Sequence, residues 1–307
     1  MSISIVIPFY NESLTLKETL QSLINQTLKP FEILLIDSGS TDNSSSIIND
    51  FIKQNNMNNI SIYTSGEMSP SSSINLGVKK SKSDLIAYVD CGLKIPLDWL
   101  ESNLKLMNNT KSDIVSPKIY TIGKELIDKA FIAQTYGYHS YTPCLTGSLI
   151  KKKVIEKIGY FLPNARANYD VDFIKKINKL NSKRVINNNM ALEYFGTAYC
   201  QSFIAGIFKI STYSENAWRV VGDIKPYFYT IGLILLLIGI YLNYSVILMT
   251  VYIAVRGYLI PLTKSSAKIL REIPLLLLLP FVGFIIDISR IIGYLSLHKM
   301  LQIKEVN

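Results

Sequence analysis

Histidine and cysteine are nearly absent from this sequence. Among 307 residues there are 2 His and 3 Cys, namely His139, His298, Cys91, Cys144 and Cys200, with no CxxC pair. That inventory builds neither a Cys/His zinc site nor a disulfide scaffold, so any metal would be a hard cation held by oxygen. The isolated thiols suit a reducing compartment. Charge is scarce as well: Asp, Glu, Lys and Arg make up 18% of the chain, against about 25% in ordinary soluble domains. With 49% hydrophobic residues and a mean hydropathy of +0.24, part of the chain is expected to sit in lipid. Low-complexity tracts are short and glycines number only 16, which excludes dominant disorder and collagen-like repeats. Met1 runs directly into ISIVIPFY, without the basic leader or small-residue cleavage site expected of a signal peptide.

Acids thin out along the chain. The net charge is +9, from 32 bases and 23 acids. From Pro226 onward the acids are only Glu272, Asp287 and Glu305, against Arg256, Lys264, Lys268, Arg271, Arg290, Lys299 and Lys304. Bases flanking apolar runs point to a membrane surface, and nucleic acid is not expected as a partner.

What is present first is strand–helix alternation. Ser4-Ile5-Val6-Ile7 reads as a buried strand ended by Pro8, and Leu16, Leu20, Leu23 and Ile24 recur at helical spacing within 14–25. Strands are expected again at 32–37, 60–63 and 85–89, with helices through Ile47–Ile52 and around 74–82. This alternation predicts an α/β fold with a mainly parallel sheet flanked by helices. Ligands bind at the carboxyl ends of such strands. Those ends read Pro8-Phe9-Tyr10-Asn11-Glu12, Asp37-Ser38-Gly39-Ser40 and Asp90-Cys91-Gly92, and two of the three place an Asp where a strand stops.

The composition shifts at Pro226. Segments 227–242, 245–262 and 273–295 are largely apolar, and a spanning helix needs about 20 such residues. The first two form a helical hairpin across Asn243-Tyr244; the third carries Asp287 and Arg290 and two prolines, so two or three transmembrane helices are expected. The alternative is that these are core helices of a soluble protein. Lys264, Lys268 and Arg271 put the loop between the last two segments in the cytoplasm by the positive-inside rule. The globular part is then cytoplasmic in a multi-pass cell-membrane protein. The expected division is a catalytic domain over 1–198, an interfacial or linker helix over 199–225, and a membrane domain over 226–307. Asp287 and Arg290, spaced i, i+3, can pair with each other.

The blocks VIPFYNE, QSLINQTLKPFEILLIDSGSTD, SINLGVKKSKSDLIAYVDCG with PLDWLE after it, TGSLIKKKVIEKIGYF and YDVDFIKKI together resemble the family 2 glycosyltransferases, in that family's order and spacing from about Ile3 to Leu180. The resemblance implies a GT-A fold, a nucleotide-diphosphate sugar donor, inversion at the anomeric carbon and a divalent cation, Mg or Mn. It implies that Pro8, Tyr10 and Glu12 match the first nucleotide-contacting loop and that Asp37 holds the uracil or ribose side of the donor. Asn75 and Gly77 match the RNxG block, Asp90 is the first acid of the DxD motif and the metal ligand, and Gly147 and Ser148 lie beside the acceptor. Asp170 takes the catalytic-base position and Asp172 the second acid of the same block, where it is the runner-up for the base or simply a helix N-terminal acid.

The sequence departs from that pattern in three places. Ile74 replaces the Arg of RNxG, the DxD motif is reduced to Asp90-Cys91-Gly92, and Tyr169 stands where a Glu precedes the base. Cysteine is a poor ligand for Mg or Mn, so metal binding should be weaker. Gln201 is not followed by the rest of QxxRW, which argues against a processive synthase. The expected activity is transfer of one sugar to a lipid-linked or cell-surface glycan acceptor. Two rivals remain: a polyprenyl-phosphate glycosyltransferase, in which Arg166, Lys209 or Arg219 would clamp the phosphate, and a catalytically silent nucleotide-sugar-binding scaffold. Glycan-assembly proteins or a second copy of the chain are the further partners these readings allow.

Overall fold

The computed structural model describes residues 2–64, 66–195, 203–242 and 244–296. Its elements run β1 (Ile3–Phe9), α1 (Leu16–Ile24), β2 (Glu32–Asp37), α2 (Ser44–Asn55), β3 (Ile60–Thr64), α3 (Pro70–Lys80), β4 (Leu85–Tyr88), β5 (Leu93–Lys94), α4 (Trp99–Thr110) and β6 (Ile114–Thr121). Then follow α5 (Leu126–Thr135), β7 (Tyr141–Pro143), β8 (Leu149–Lys151), α6 (Lys152–Ile158), α7 (Tyr169–Lys179) and β9 (Arg184–Tyr194). The helical remainder comprises α8 (Phe203–Arg219), α9 (Lys225–Tyr241), α10 (Ser245–Tyr252), a π-helical stretch Ile253–Leu259, α11 (Ile260–Lys264), a 3-10 turn Ala267–Arg271 and α12 (Ile273–Tyr294). Gln201, the start of the expected interfacial helix at Tyr199, and Asn243 of the expected hairpin turn lie outside the described residues.

The chain divides into two units, one comprising Met1–Tyr120 and Tyr141–Gly196, the other Thr121–Ser140 and Thr197–Asn307. The first is built on a nine-stranded sheet in the order β3-β2-β1-β4-β8-β6-β9-β5, with β7 on β6. The pairs β3–β2, β2–β1 and β1–β4 are parallel, and β4–β8 and β8–β6 are antiparallel. β1 and β2 are buried along their whole lengths, as expected of strands covered on both faces. Alternate residues divide between the layers: Ile5 and Ile7 pack in the cluster with Leu16, Leu20, Ile48 and Trp99, whereas Val6 packs with Ile74, Val78 and Phe173. The helix α3 starts where Ser69 accepts a hydrogen bond from the Ser72 amide and Pro70 occupies the first turn. Gly77 lets that helix lie close on β1, since a Cβ there would collide with the Val6 side chain.

The second unit gathers two segments that the sequence pattern assigns elsewhere. Residues 121–140 interrupt the sheet unit in sequence, yet Ala130, Phe131 and Ala133 of α5 bury against Leu275, Leu279, Val282 and Ile286 of α12. Within 199–225, the expected interfacial or linker helix, α8 packs against α12 in this unit. Ser211 donates to the Ser289 carbonyl at 2.8 Å, and Gly293 abuts the Ser211 backbone with no room for a side chain. The physical reason is the same in both cases: burying an apolar helix face against another apolar face removes it from water. Among the described residues, Val246–Lys264 and Ile273–Tyr294 are long and apolar enough to cross a membrane, and Tyr227–Gly239 is a shorter apolar helix. α12 runs on through Pro280.

Candidate active site

The carboxyl ends of β1, β2 and β4 carry the site. After β1 the backbone turns through Asn11 at φ 54°, a conformation asparagine tolerates. The Asn11 side-chain oxygen accepts from the Thr41 and Asp42 amides at 2.8 and 3.3 Å, and its own amide donates to Ser40 Oγ at 3.0 Å. Glu12 N donates to Ser44 Oγ at 2.8 Å, and Ser13 N to Asp42 at 3.1 Å. These bonds latch the loop after β1 to the loop after β2. Asp37 is 3% exposed; its carboxylate accepts from the Gly39 and Ser40 amides at 3.1 and 2.8 Å and from Ser45 Oγ at 3.2 Å. Asp37 therefore shapes this loop, while Tyr10, at 51% exposure, presents its ring to solvent and Pro8 is buried in the strand end.

Asp90 follows β4 and is partly exposed. Its amide donates to Thr146 Oγ1 at 2.9 Å, and its carboxylate accepts a short hydrogen bond from Tyr88. The Tyr88 hydroxyl meets that of Tyr169 at 2.9 Å. A Tyr169–Tyr88–Asp90 chain thus ties the start of α7 to the end of β4. Desolvation pushes the Asp90 carboxyl up to about 6; the nearby Asp170 and Glu12 charges add to the rise, and the bonds from Tyr88 and Thr146 oppose it. Burial, then the Asp90 charge, also raises the Tyr88 hydroxyl, which stays a donor.

The other expected site residues divide between contact and support. Asp170 opens α7 and lies within electrostatic reach of Asp90. Asp172 pairs with Lys176 one turn on at 2.9 Å, and Lys176 also donates to the Tyr160 carbonyl at 3.1 Å. Asp172 is thus one half of a partly buried i, i+4 ion pair. Asn75 spends both ends of its amide on Phe161, donating to the carbonyl at 2.8 Å and accepting from the amide at 2.9 Å; it fastens the loop before α7. Ser148 is fully buried, with Oγ bonded to Ser116 at 2.8 Å, and Gly147, at φ 78° and backed by Leu192, accepts from the Trp99 indole at 2.9 Å. Both set the loop that presents Thr146. Of the three cations considered as phosphate clamps, Arg219 is engaged by Glu215 at 3.1 Å and Ser296 at 2.6 Å, Lys209 lies over the Tyr213 ring, and Arg166 is exposed in the loop before α7.

Four residues of the site carried no signal strong enough to be singled out. Tyr88 looked like one more apolar strand residue, and Thr146 adjoins a Gly-Ser pair that drew attention in its place. Asn11 lies inside the YNE block. Arg184, at the start of β9, donates to Ser116 Oγ at 2.9 Å and the Cys144 carbonyl at 3.4 Å; burial lowers its pKa while Asp170 nearby works against that.

No group of three or more His, Cys, Asp or Glu side chains among the described residues is arranged to hold a metal. Cys91 is buried with its sulfur toward the Pro8 carbonyl, and burial pushes its thiol up. The donor set is then one hard carboxylate, Asp90. It fits a magnesium-like ion that takes its remaining ligands from phosphates and water, and it does not fit an ion bound by protein alone.

The glycosyl transferase family 2 model matches residues 4–186 of this chain. An uncharacterized glycosyltransferase of Haemophilus influenzae is 35% identical over 105 residues, covering 34% of this chain and 42% of that protein. The dolichyl N-acetyl-alpha-D-glucosaminyl phosphate 3-beta-D-2,3-diacetamido-2,3-dideoxy-beta-D-glucuronosyltransferase of Methanococcus voltae is 29% identical over 123 residues, 39% of this chain and 38% of that protein. The matched region is thus less than half the length of either relative. The crystal structure of S. aureus TarS 1-349 in complex with UDP-GlcNAc superposes with a TM-score of 0.52 at 16% identity, over 98% of this chain and 92% of that one, a likeness of fold.

Proposed function

Because the chain belongs to glycosyl transferase family 2 and has the GT-A fold, we propose that it is an inverting, membrane-anchored transferase that moves one sugar from a nucleotide-diphosphate donor to a lipid-linked glycan. The observation that carries this reading is that Asp90, after the parallel strand β4, lies within electrostatic reach of both Glu12, after β1, and Asp170, in the first turn of α7. Support for the donor comes from the UDP-GlcNAc held by TarS, and support for the acceptor from the dolichyl-phosphate-linked sugar in the Methanococcus voltae protein's name.

On this reading Tyr10 and the loop organised by Asp37 and Asn11 receive the nucleoside, and Asp90 faces the diphosphate. A divalent cation bound at Asp90 would neutralise charge on the departing diphosphate. Asp170 takes the proton of the acceptor hydroxyl. That oxygen attacks the anomeric carbon from the face opposite the diphosphate; the carbon–oxygen bond to the donor breaks, its electron pair leaves with the nucleoside diphosphate, and configuration inverts. The apolar helices of the second unit would anchor the chain in the membrane, with the basic loop bearing Lys264, Lys268 and Arg271 on the cytoplasmic side.

The test is Asp170→Asn in a transfer assay run beside donor binding. Transfer should fall about 10²–10⁴-fold with donor affinity nearly unchanged. Equal transfer by the variant would remove Asp170 as the base, and wild-type protein that binds a donor but neither hydrolyses nor transfers it would leave the silent scaffold.

A further inference from the structure

The second unit holds a buried ionic cluster that the transfer chemistry does not use. Arg256, inside the π-helical stretch, grips Asp287 of α12 with two bonds, Nε to Oδ2 at 2.7 Å and Nη2 to Oδ1 at 3.0 Å. Its Nη1 donates to Gln134 of α5, whose own amide bonds the Leu279 carbonyl at 2.7 Å, and the Tyr252 hydroxyl donates to Asp287 at 3.0 Å. Asp287 is thereby satisfied. Arg290 is a second cation on the same acid, reached only through Nη1 at 3.3 Å, and otherwise bonded to the Tyr229 hydroxyl at 2.5 Å and stacked on its ring. Two guanidiniums share one carboxylate, and the Arg290 side chain is still 26% exposed. Lys264 adds positive charge within electrostatic reach of both arginines and of Asp287.

Position matters as much as charge. Tyr229 lies one turn into α9, and Arg256 lies about 12 Å from the end of α11 at 1.5 Å per residue. Beyond this level the hairpin is apolar and exposed, through Ile231, Leu235 and Ile238 on α9 and Val246, Ile247 and Met249 on α10. From Ile231 to the turn is about 17 Å, roughly one leaflet of a hydrocarbon core about 30 Å thick. With the apolar hairpin inserted as the proposed anchor, the cluster at its base would lie at headgroup depth, where tyrosines and arginines meet lipid phosphates.

We propose that Arg290, with Tyr229, binds the phosphate of an anionic membrane lipid at the base of the α9–α10 hairpin. The inference rests on the membrane anchoring proposed above. An anionic oxygen there would take the Nε and Nη2 donors of Arg290 and offset the excess cation, in the planar geometry guanidinium offers to phosphate.

The test uses the full chain in an uncharged detergent and compares short-chain phosphatidic acid, phosphatidylcholine of the same chain length, and inorganic phosphate. Wild type should bind phosphatidic acid more tightly than either comparator, and Arg290→Gln should weaken that binding about tenfold, with Arg290→Lys recovering part of it. If Arg290→Gln fails to fold, Tyr229→Phe should give a smaller loss in the same direction. Phosphatidic acid binding unchanged in the folded variants, or equal to phosphatidylcholine, overturns the site; inorganic phosphate binding as tightly overturns the lipid as its source. Failure of wild type to float with phosphatidylcholine vesicles would instead overturn the membrane anchoring.

Discussion

Two aspartates sit in buried polar networks, one in each unit, and their partners differ. Asp90 is held by neutral donors, Tyr88 and Thr146, and faces other carboxylates. Asp287 is held by two guanidiniums and a tyrosine. The first network gives its acid no cation, and desolvation, with the neighbouring carboxylates adding to it, raises that carboxyl to about 6; the second over-compensates its acid. A carboxylate left short of positive charge invites a cation, whereas one gripped by an arginine fork fixes helices to each other. The same residue type therefore serves binding at one place and cohesion at the other.

Removing each carboxylate breaks that comparison most sharply. Asp90→Asn should abolish cation-dependent binding of the diphosphate and lower transfer about 10²–10³-fold without loss of fold, as read by calorimetry and circular dichroism. Asp287→Asn should do the reverse. It leaves Arg256 buried without its partner and should destabilise the protein by about 3–5 kcal/mol, seen as a lower unfolding temperature in detergent. If Asp287→Asn melts like wild type, the cohesion role is wrong.

Subtler changes sharpen it. Above pH 6 the Asp90 carboxyl is ionised, and below it is neutral; because the folded pKa lies above the ordinary 3.8, the protonated form favours the fold, and that contribution is lost as pH rises through about 6. Binding of a metal–diphosphate should accordingly weaken below pH 6, and a flat profile from pH 5 to 8 would contradict the assignment. Tyr88→Phe removes a bond that holds the carboxylate ionised, so the midpoint of the same profile should move upward. The smallest effect belongs to Asp172→Asn, a helix-surface pair that contributes about 0–1 kcal/mol, with transfer essentially unchanged.

Much of the first unit was legible because strands and helices announce themselves locally. The run Glu32–Asp37 needed no context, and Ser69-Pro70 marks a helix start by its own chemistry. The strand-end acids followed from the sheet, and the five blocks identified the family. What escaped depends on partners distant in sequence. Asn75 reads as a ligand-facing amide until Phe161, 86 residues away, takes both its ends. Asp287 and Arg290 looked like a pair because i, i+3 spacing is visible, while Arg256, 31 residues earlier, holds the acid more closely. The α5 segment carries an ordinary apolar pattern, and no local period says which unit will cover it.

The most direct test of the central claim is calorimetric titration of the detergent-purified chain with a panel of nucleoside diphosphates, with and without manganese, in wild type and Asp90→Asn. Binding of one nucleotide that strengthens with manganese in wild type and loses that enhancement in the variant is the expected result. Binding equally tight in both proteins, or unaffected by manganese in wild type, would contradict a donor site built on Asp90.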